Sequence, residues 1–313
     1  MAMIEVLRSG VNTWECDQMG HLNVRHYFAR ANQGLVTLAL QLGLLPSQLR
    51  QAGLALRARD QHVRFVREMR PGVYYTVCAG VLQSSTDSLQ VYEEIRFLHS
   101  GEVAASVLSE LELVESSSVC SRADPRASTA RTSPFSDAVL KRADALRCAL
   151  PAEYAPRGVA RTPPRVAPLH SEALDKGLVG AYLAPVQPED CDAFGVMHEA
   201  AFMARVSDGI GHFFHATRPQ RATGIGGAAL EYRYVFHERP RLGDVIEVRS
   251  GLKAVGQKTS HMCHWIFNLE TGHCAATSEA VAVAFDLTTR KAIEISPEAR
   301  ADMEQRVVPG LSV

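Results

Sequence analysis

One loop occurs twice in this chain. Cys16-Asp17-Gln18-Met19-Gly20 returns as Cys191-Asp192-Ala193-Phe194-Gly195, each residue 175 positions after its counterpart. Farther on, Gly101-Glu102-Val103-Ala104-Ala105-Ser106 matches Gly272-His273-Cys274-Ala275-Ala276-Thr277, and Arg70-Pro71-Gly72 matches Arg241-Leu242-Gly243, both 171 positions on. Chance does not keep such matches in one order through a loop, a helix and several strands. The period is domain-sized rather than solenoid-sized. Whatever folds here folds twice, so each element inferred for one half must find a counterpart in the other.

Each half reads as a helix followed by strands. From Val24, apolar residues at Tyr27, Phe28, Ala31, Leu35, Leu38 and Leu42 step by threes and fours along one helical face, ended by Gly43 and Pro46. Residues 4–14 precede it as a strand, and 62–68, 73–82, 89–98 and 103–114 follow as strands, with turns at Pro71-Gly72, 84–87 and Ser100-Gly101. In the second half, 183–186 is strand-like, and Phe202, Met203, Val206, Ile210, Phe213 and Phe214 mark the helix. Strands are expected around 228–237, 245–254, 260–268 and 274–287. A helical stripe needs an apolar partner and the strands supply it, so the fold class is α+β.

Between the halves, 116–178 holds seven of the fifteen prolines and the run Ser116 to Ser118. It reads as a Pro/Ser-rich linker, interrupted by a short helix over 135–150 that packs on a neighbouring domain. The expected domains are 1–115, 116–178 and 179–313.

Composition narrows the function. Lys+Arg (33) nearly balances Asp+Glu (34) for a net charge of −1, which gives no reason to expect nucleic acid or an anionic membrane as a partner. The start, Met1-Ala2-Met3-Ile4-Glu5, lacks a basic, apolar leader, and the apolar run from Gly34 to Leu45 is too short to span a bilayer. Seven cysteines without a Cys-x-x-Cys pair do not make a disulfide framework, and a reducing cytoplasm is expected.

The repeated loop is where chemistry is expected. Asp17 sits on a glycine-bearing loop that runs into a helix start, where exposed N–H groups attract developing negative charge and a carboxylate can direct water at a bound carbonyl. Against this stands the ordinary role of a lone Asp there, as a loop cap or helix N-terminal charge. Cys16 and Cys191 invite a thiol nucleophile, but small buried residues are the commoner use of such cysteines. His261, Cys263, His264, His273 and Cys274 do not make a metal site, because His261 and Cys263 point opposite to His264 along a strand. Gly224-Ile225-Gly226-Gly227-Ala228-Ala229 precedes a strand instead of opening a helix, so it fails as a dinucleotide loop. The basic stretches 64–67 and 233–241 are solvated strand faces and turns, or contacts for coenzyme A phosphates. The chain has no Gly-x-Ser-x-Gly elbow.

Asp17-x-x-Gly20-His21-x-Asn23, with Tyr27 on the following helix, resembles the signature of hotdog-fold acyl-CoA thioesterases of the 4-hydroxybenzoyl-CoA thioesterase type. The resemblance covers both halves and implies two hotdog units, each a long helix wrapped by an antiparallel sheet, paired in one chain. It implies that Asp17 is the catalytic carboxylate, as general base or as nucleophile through a mixed anhydride, and that the Val24 N–H holds the thioester oxygen. Gly20 would permit close backbone approach, and His21 and Asn23 would contact substrate or order the loop. In the second copy Asp192 is the corresponding catalytic candidate, with Gly195 and His198 as substrate contacts, but Val196 replaces the histidine. Many relatives carry a second Asn or a His where this chain has Val24. The implied partner is an acyl-CoA or acyl carrier protein thioester, with no cofactor, no metal and further association into a homo-oligomer. Two rivals remain: a hotdog hydratase, whose Asp-x-x-x-x-His spacing is absent because Leu22 and Met197 stand there, and a non-catalytic acyl-CoA-binding protein.

Overall fold

A computed structural model describes residues 3–115, 131–217 and 224–313. They divide into two compact units, 3–115 with 131–155, and 156–217 with 224–313.

In the first unit, β1 (Ile4–Gly10) leads to α1 (Val24–Leu42), α2 (Pro46–Gln51), β2 (Leu54–Phe65), β3 (Tyr74–Ser84), β4 (Leu89–Phe97), β5 (Val103–Glu115), β6 (Thr132–Ser133) and α3 (Asp137–Ala145). The antiparallel sheet has the order β1-β3-β4-β5-β2, with β6 added on β5. α1 starts at the Asn23 cap, stops at Gly43 in the left-handed region, and buries Tyr27, Phe28, Ala31, Leu35, Leu38 and Leu42. It lies against β1, β3 and β4.

The second unit repeats this. α4 (His170–Asp175) and β7 (Val179–Pro185) precede α5 (Glu199–Thr217), β8 (Ile225–Phe236), β9 (Val245–Val255), β10 (Thr259–Asn268), β11 (Cys274–Asp286) and α6 (Pro297–Glu304). Strand order is β8-β11-β10-β9-β7, the order of the first sheet read from its other edge. Both units are the α+β hotdog arrangement.

β2 differs from expectation at both ends. It starts at Leu54 rather than 62, because the charged Arg57 and Asp60 that make 54–61 look loop-like are buried on a strand paired with β5 throughout. It stops at Phe65 because Val66 and Arg67 both donate to the Ala104 carbonyl, which breaks the ladder.

Of the stretch 116–178, residues 116–130 lie outside the described residues. The remainder is divided between the units. α3 packs on α1 and β3, and Leu146 to Cys148 run beside β3, with Val81 N–H donating to Leu146 O (2.9 Å) and Cys148 N–H to Val81 O (3.0 Å). In the second unit, the buried Glu231 carboxylate accepts the N–H groups of Arg157 (2.9 Å), Gly158 (3.0 Å) and Val159 (3.0 Å), and Arg233 donates to Ala160 O (2.8 Å). A proline-rich strap forms no regular ladder, so side chains meet its polar backbone. Such cover explains why β10 is apolar on both faces: Cys263, Trp265 and Phe267 pack with Leu178, Ala173 and Leu311 on the face opposite Met262, His264 and Ile266.

Helix and sheet leave no room for a Cβ at two duplicated glycines, Gly34 and Gly209. A Cβ on Gly209 would lie 2.8 Å from the Ala181 carbonyl oxygen and 3.0 Å from its carbonyl carbon, backbone atoms that cannot swing aside as a side-chain end can. Gly209→Ala is therefore expected to lose about 1–3 kcal/mol by overpacking. Gly211→Ala, on the same helix with nothing within 4 Å of its Cβ, is expected to lose none. Thermal melts of the two variants check this; equal melting temperatures would contradict it.

Candidate active site

The first loop is closed by backbone. A 3-10 turn (Thr13–Glu15) delivers Cys16, which bridges Leu22 across the loop. Asp17 N–H donates to His21 O and Gly20 N–H to Asp17 O, both at 3.0 Å. Gly20 has φ 75°, a left-handed conformation costly for other residues. The Asp17 side chain is 19% exposed; its Oδ1 accepts Met19 N–H at 2.9 Å and its Oδ2 lies 3.4 Å from His21 Nδ1. His21 Nε2 is buried and has no hydrogen-bond partner among the described residues.

Asn23 is the helix cap. Its Oδ1 accepts Arg25 N–H (3.0 Å), its carbonyl accepts His26 N–H (2.9 Å), and its own N–H donates to Glu15 O (3.0 Å). These bonds use the donors on either side of Val24, whose N–H, first in the helix, has no intrahelical acceptor. Thus Asp17, Gly20, His21, Asn23 and Val24 share one loop and helix start, with no acidic residue in the first turn of α1.

The second loop has the same backbone and different side chains. Asp192 N–H donates to Val196 O (2.9 Å), Gly195 N–H to Asp192 O (3.0 Å), and Gly195 has φ 71°. Asp192 Oδ1 accepts the N–H groups of Phe194 (2.8 Å) and Val196 (3.3 Å), with no imidazole in the place of His21. His198 acts as a cap: Nδ1 accepts Ala201 N–H (3.2 Å) and Nε2 donates to Glu189 O (3.2 Å). Glu199 opens α5 and pairs with Arg239 at 3.0 Å, so this helix start carries its own carboxylate. The Arg239 guanidinium lies 4.5 Å from the Phe236 ring centroid.

Four residues absent from the expectations organise these loops. Glu15 is 4% exposed; its Oε2 accepts Asn12 N–H (2.9 Å) and Nδ2–H (3.1 Å), and its Oε1 pairs with Arg30. Burial raises its pKa, but the Asn12 hydrogen bonds and the Arg30 charge outweigh that and hold it below the usual range. His26, 3.6 Å away, is held low by burial despite Glu15. In the second unit, Asp190 is 2% exposed, accepts Gln187 N–H (3.2 Å) and pairs with Arg205 (3.1 Å). Glu15 and Asp190, like Arg30 and Arg205, are 175 positions apart, so the repeat offset was a signal that could have found them.

Tyr27 has a related task. Its hydroxyl accepts Met69 N–H (3.3 Å), while Met69 O accepts Leu22 N–H (2.8 Å). In the second copy Pro240 O accepts Met197 N–H (2.7 Å), and Phe202 stands in the place of Tyr27. Proline has no N–H to satisfy, so the hydroxyl is not needed there.

The thiols of Cys16 and Cys191 are pushed up by burial and by adjacent carboxylates, against a thiolate role. Among the described residues, no group of three or more His, Cys, Asp or Glu is arranged to hold a metal ion, and no helix is long and apolar enough to cross a membrane.

Comparison with known proteins follows the duplication. A family model described as the thioesterase-like superfamily matches residues 11–143 and 186–303. No curated protein matches the chain. Among solved structures, a protein described as an oleoyl thioesterase from Lactobacillus plantarum is similar with a TM-score of 0.67 at 13% identity, covering 90% of this chain and 96% of the other. The 12:0-ACP thioesterase from Umbellularia californica is similar with a TM-score of 0.64 at 11% identity, covering 89% and 93%. An acyl-ACP thioesterase from Bacteroides thetaiotaomicron VPI-5482 gives a TM-score of 0.62 at 10% identity, covering 88% and 96%. At these identities the likeness to solved structures is one of fold.

Proposed function

The chain belongs to the thioesterase-like superfamily, and on that premise we propose that it hydrolyses an acyl thioester of coenzyme A or acyl carrier protein, with Asp17 as the working carboxylate. The substrate carbonyl oxygen sits against the Val24 N–H, where a helix N-terminus meets the charge that develops on addition. Asp17 takes a proton from water, whose oxygen adds to the carbonyl carbon; the tetrahedral adduct then expels the thiolate, which is protonated. In the nucleophilic alternative, Asp17 attacks the carbonyl, the thiolate leaves, and water hydrolyses the mixed anhydride. A thioester is electrophilic enough for one carboxylate and one or two N–H donors to suffice without a triad. Gly20 lets the backbone approach the substrate, His21 steadies Asp17, and Asn23 holds the helix start.

One contrast carries this reading. The Asp17 loop keeps an imidazole 3.4 Å from its carboxylate and a helix start free of acid, whereas the Asp192 loop has Val196 and the Glu199–Arg239 pair. We assign Asp192, Gly195 and His198 to an altered copy that keeps the loop without the turnover. The fold is shared with proteins named as acyl carrier protein thioesterases, which supports that carrier beside coenzyme A.

Thiol release from a panel of acyl-CoA and acyl carrier protein thioesters tests the proposal. Cleavage of at least one series is expected. Binding of acyl thioesters without cleavage of any would replace the hydrolase with a binding protein.

A further inference from the structure

We infer that the buried Glu15–Arg30 pair is the positioning device of the Asp17 loop, and that Asp190–Arg205 is its twin in the second unit. The inference rests on the reading of Asp17 as the working carboxylate.

Glu15 ties three parts of the first unit to one residue. Its carboxylate takes the backbone and side-chain N–H groups of Asn12, at the end of the segment entering the loop. The same carboxylate pairs with Arg30 on α1, and its carbonyl takes the N–H of Asn23, the helix cap. Asp17 follows two residues later in a loop whose base is the Cys16–Leu22 bridge. The direction in which Asp17 leaves that base, relative to the helix start, is thus set by Glu15. At 4% exposure Glu15 is shielded from water, and an uncharged replacement would leave the 18%-exposed Arg30 side chain without its carboxylate.

The second unit repeats the device with altered lengths. The Asp190 carbonyl takes His198 N–H at 2.9 Å, and its carboxylate takes Gln187 N–H and Arg205. Gln187 is the counterpart of Asn12, 175 positions on. In the first unit the Asn12 side-chain amide also reaches the acid, whereas the longer Gln187 amide turns away to the Pro185 carbonyl (3.2 Å) and leaves Asp190 the backbone N–H alone. The acid's length changes while its charge, the backbone N–H three residues earlier, the arginine and the bond to the cap N–H persist. A carboxylate kept only for bulk would not require a matched backbone donor and a matched arginine.

The test is kinetic, with melting temperatures measured beside it. Glu15→Gln is expected to lower kcat on the order of 10²-fold, as a displaced catalytic group does, with KM nearly unchanged. The pair Asn12→Gln/Glu15→Asp, which installs the second unit's solution in the first, is expected to restore most of that kcat. Asp190→Asn serves as the matched lesion, expected to lower the melting temperature comparably while leaving kcat near wild type. The inference is overturned if Glu15→Gln loses no more kcat than Asp190→Asn at equal melting temperature, or if the folded double variant recovers none. If Asp17→Asn itself keeps full activity, the assignment of Asp17 fails first, and that result is separable from the others.

Discussion

Asp17→Asn is expected to lower kcat for acyl-thioester hydrolysis by about 10²–10⁴-fold, the range that one placed general base supplies. Asparagine keeps the shape of the side chain and an Oδ1 that still accepts Met19 N–H, now 2.9 Å away, so the loop keeps its closure. What it loses is the ability to take a proton from water or to attack as a carboxylate. His21 Nδ1, 3.4 Å from Oδ2, can meet the new amide by changing tautomer. The melting temperature should therefore stay near that of wild type, and KM should change far less than kcat. Steady-state kinetics with thermal melts on the same preparation check the expectation. Wild-type turnover in a folded variant would move the chemistry away from Asp17.

The second large effect concerns stability. Glu93 on β4 faces α1, is fully buried, and neither carboxylate oxygen has a hydrogen-bond partner among the described residues. Oε1 lies 2.8 Å from where a Cβ on Gly34 would be, a point also 2.9 Å from a Val6 methyl and 3.5 Å from a Val77 methyl. Burial in that apolar setting holds its carboxyl well above the ordinary value of 4.5. A group whose folded pKa is raised gives stability that is complete below the unfolded pKa and is lost as pH rises towards the folded pKa. Between the two, the loss is about 1.4 kcal/mol per pH unit. Glu93→Gln removes this linkage. Its melting temperature should lie near that of wild type at about pH 4, where the unfolded carboxyl too is largely protonated. It should rise progressively above wild type towards pH 8. A gap that does not change with pH would mean that Glu93 is not held protonated by the fold.

The counterpart position in the second unit is His264, 171 residues on, and it reaches neutrality by the opposite route. Burial lowers its pKa to about 4, while Nδ1 lies 2.8 Å from the Ser250 hydroxyl. Both units thus carry an ionisable side chain that must be uncharged in the folded state. That requirement belongs to the position between helix and sheet rather than to either residue.

The parts of the fold legible in sequence were those with local causes. The stripe from Tyr27 to Leu42 gave α1 both ends, because Asn23 and Gly43 cap it within a turn. Strands alternating between turn signals were found to within a few residues for β3, β4, β5, β9, β10 and β11. The start of β2 was hidden because Arg57 and Asp60 are buried on a strand paired with distant β5, which composition does not reveal. The contacts of 131–178 were hidden for the same reason: Glu231 holds N–H groups more than seventy residues away in sequence.

At the candidate site, the loop, the glycine and the acid were legible through the repeat. The tasks of the side chains were less so. Asn23 reads as a substrate contact or a loop-ordering residue and His198 as a substrate contact, and both cap helices in the structure. Glu15 and Arg30 went unnoticed because a buried ion pair looks like surface charge in a sequence, although its duplication was in plain view.

In the function proposed here, one of the two loops does the chemistry and the other keeps its backbone alone. Thiol release by Asp17→Asn and Asp192→Asn, measured side by side on the substrate that wild type cleaves fastest, tests it most directly. Asp17→Asn is expected to lose nearly all turnover and Asp192→Asn to keep most of it. Loss confined to Asp192→Asn, with Asp17→Asn as active as wild type, would contradict it.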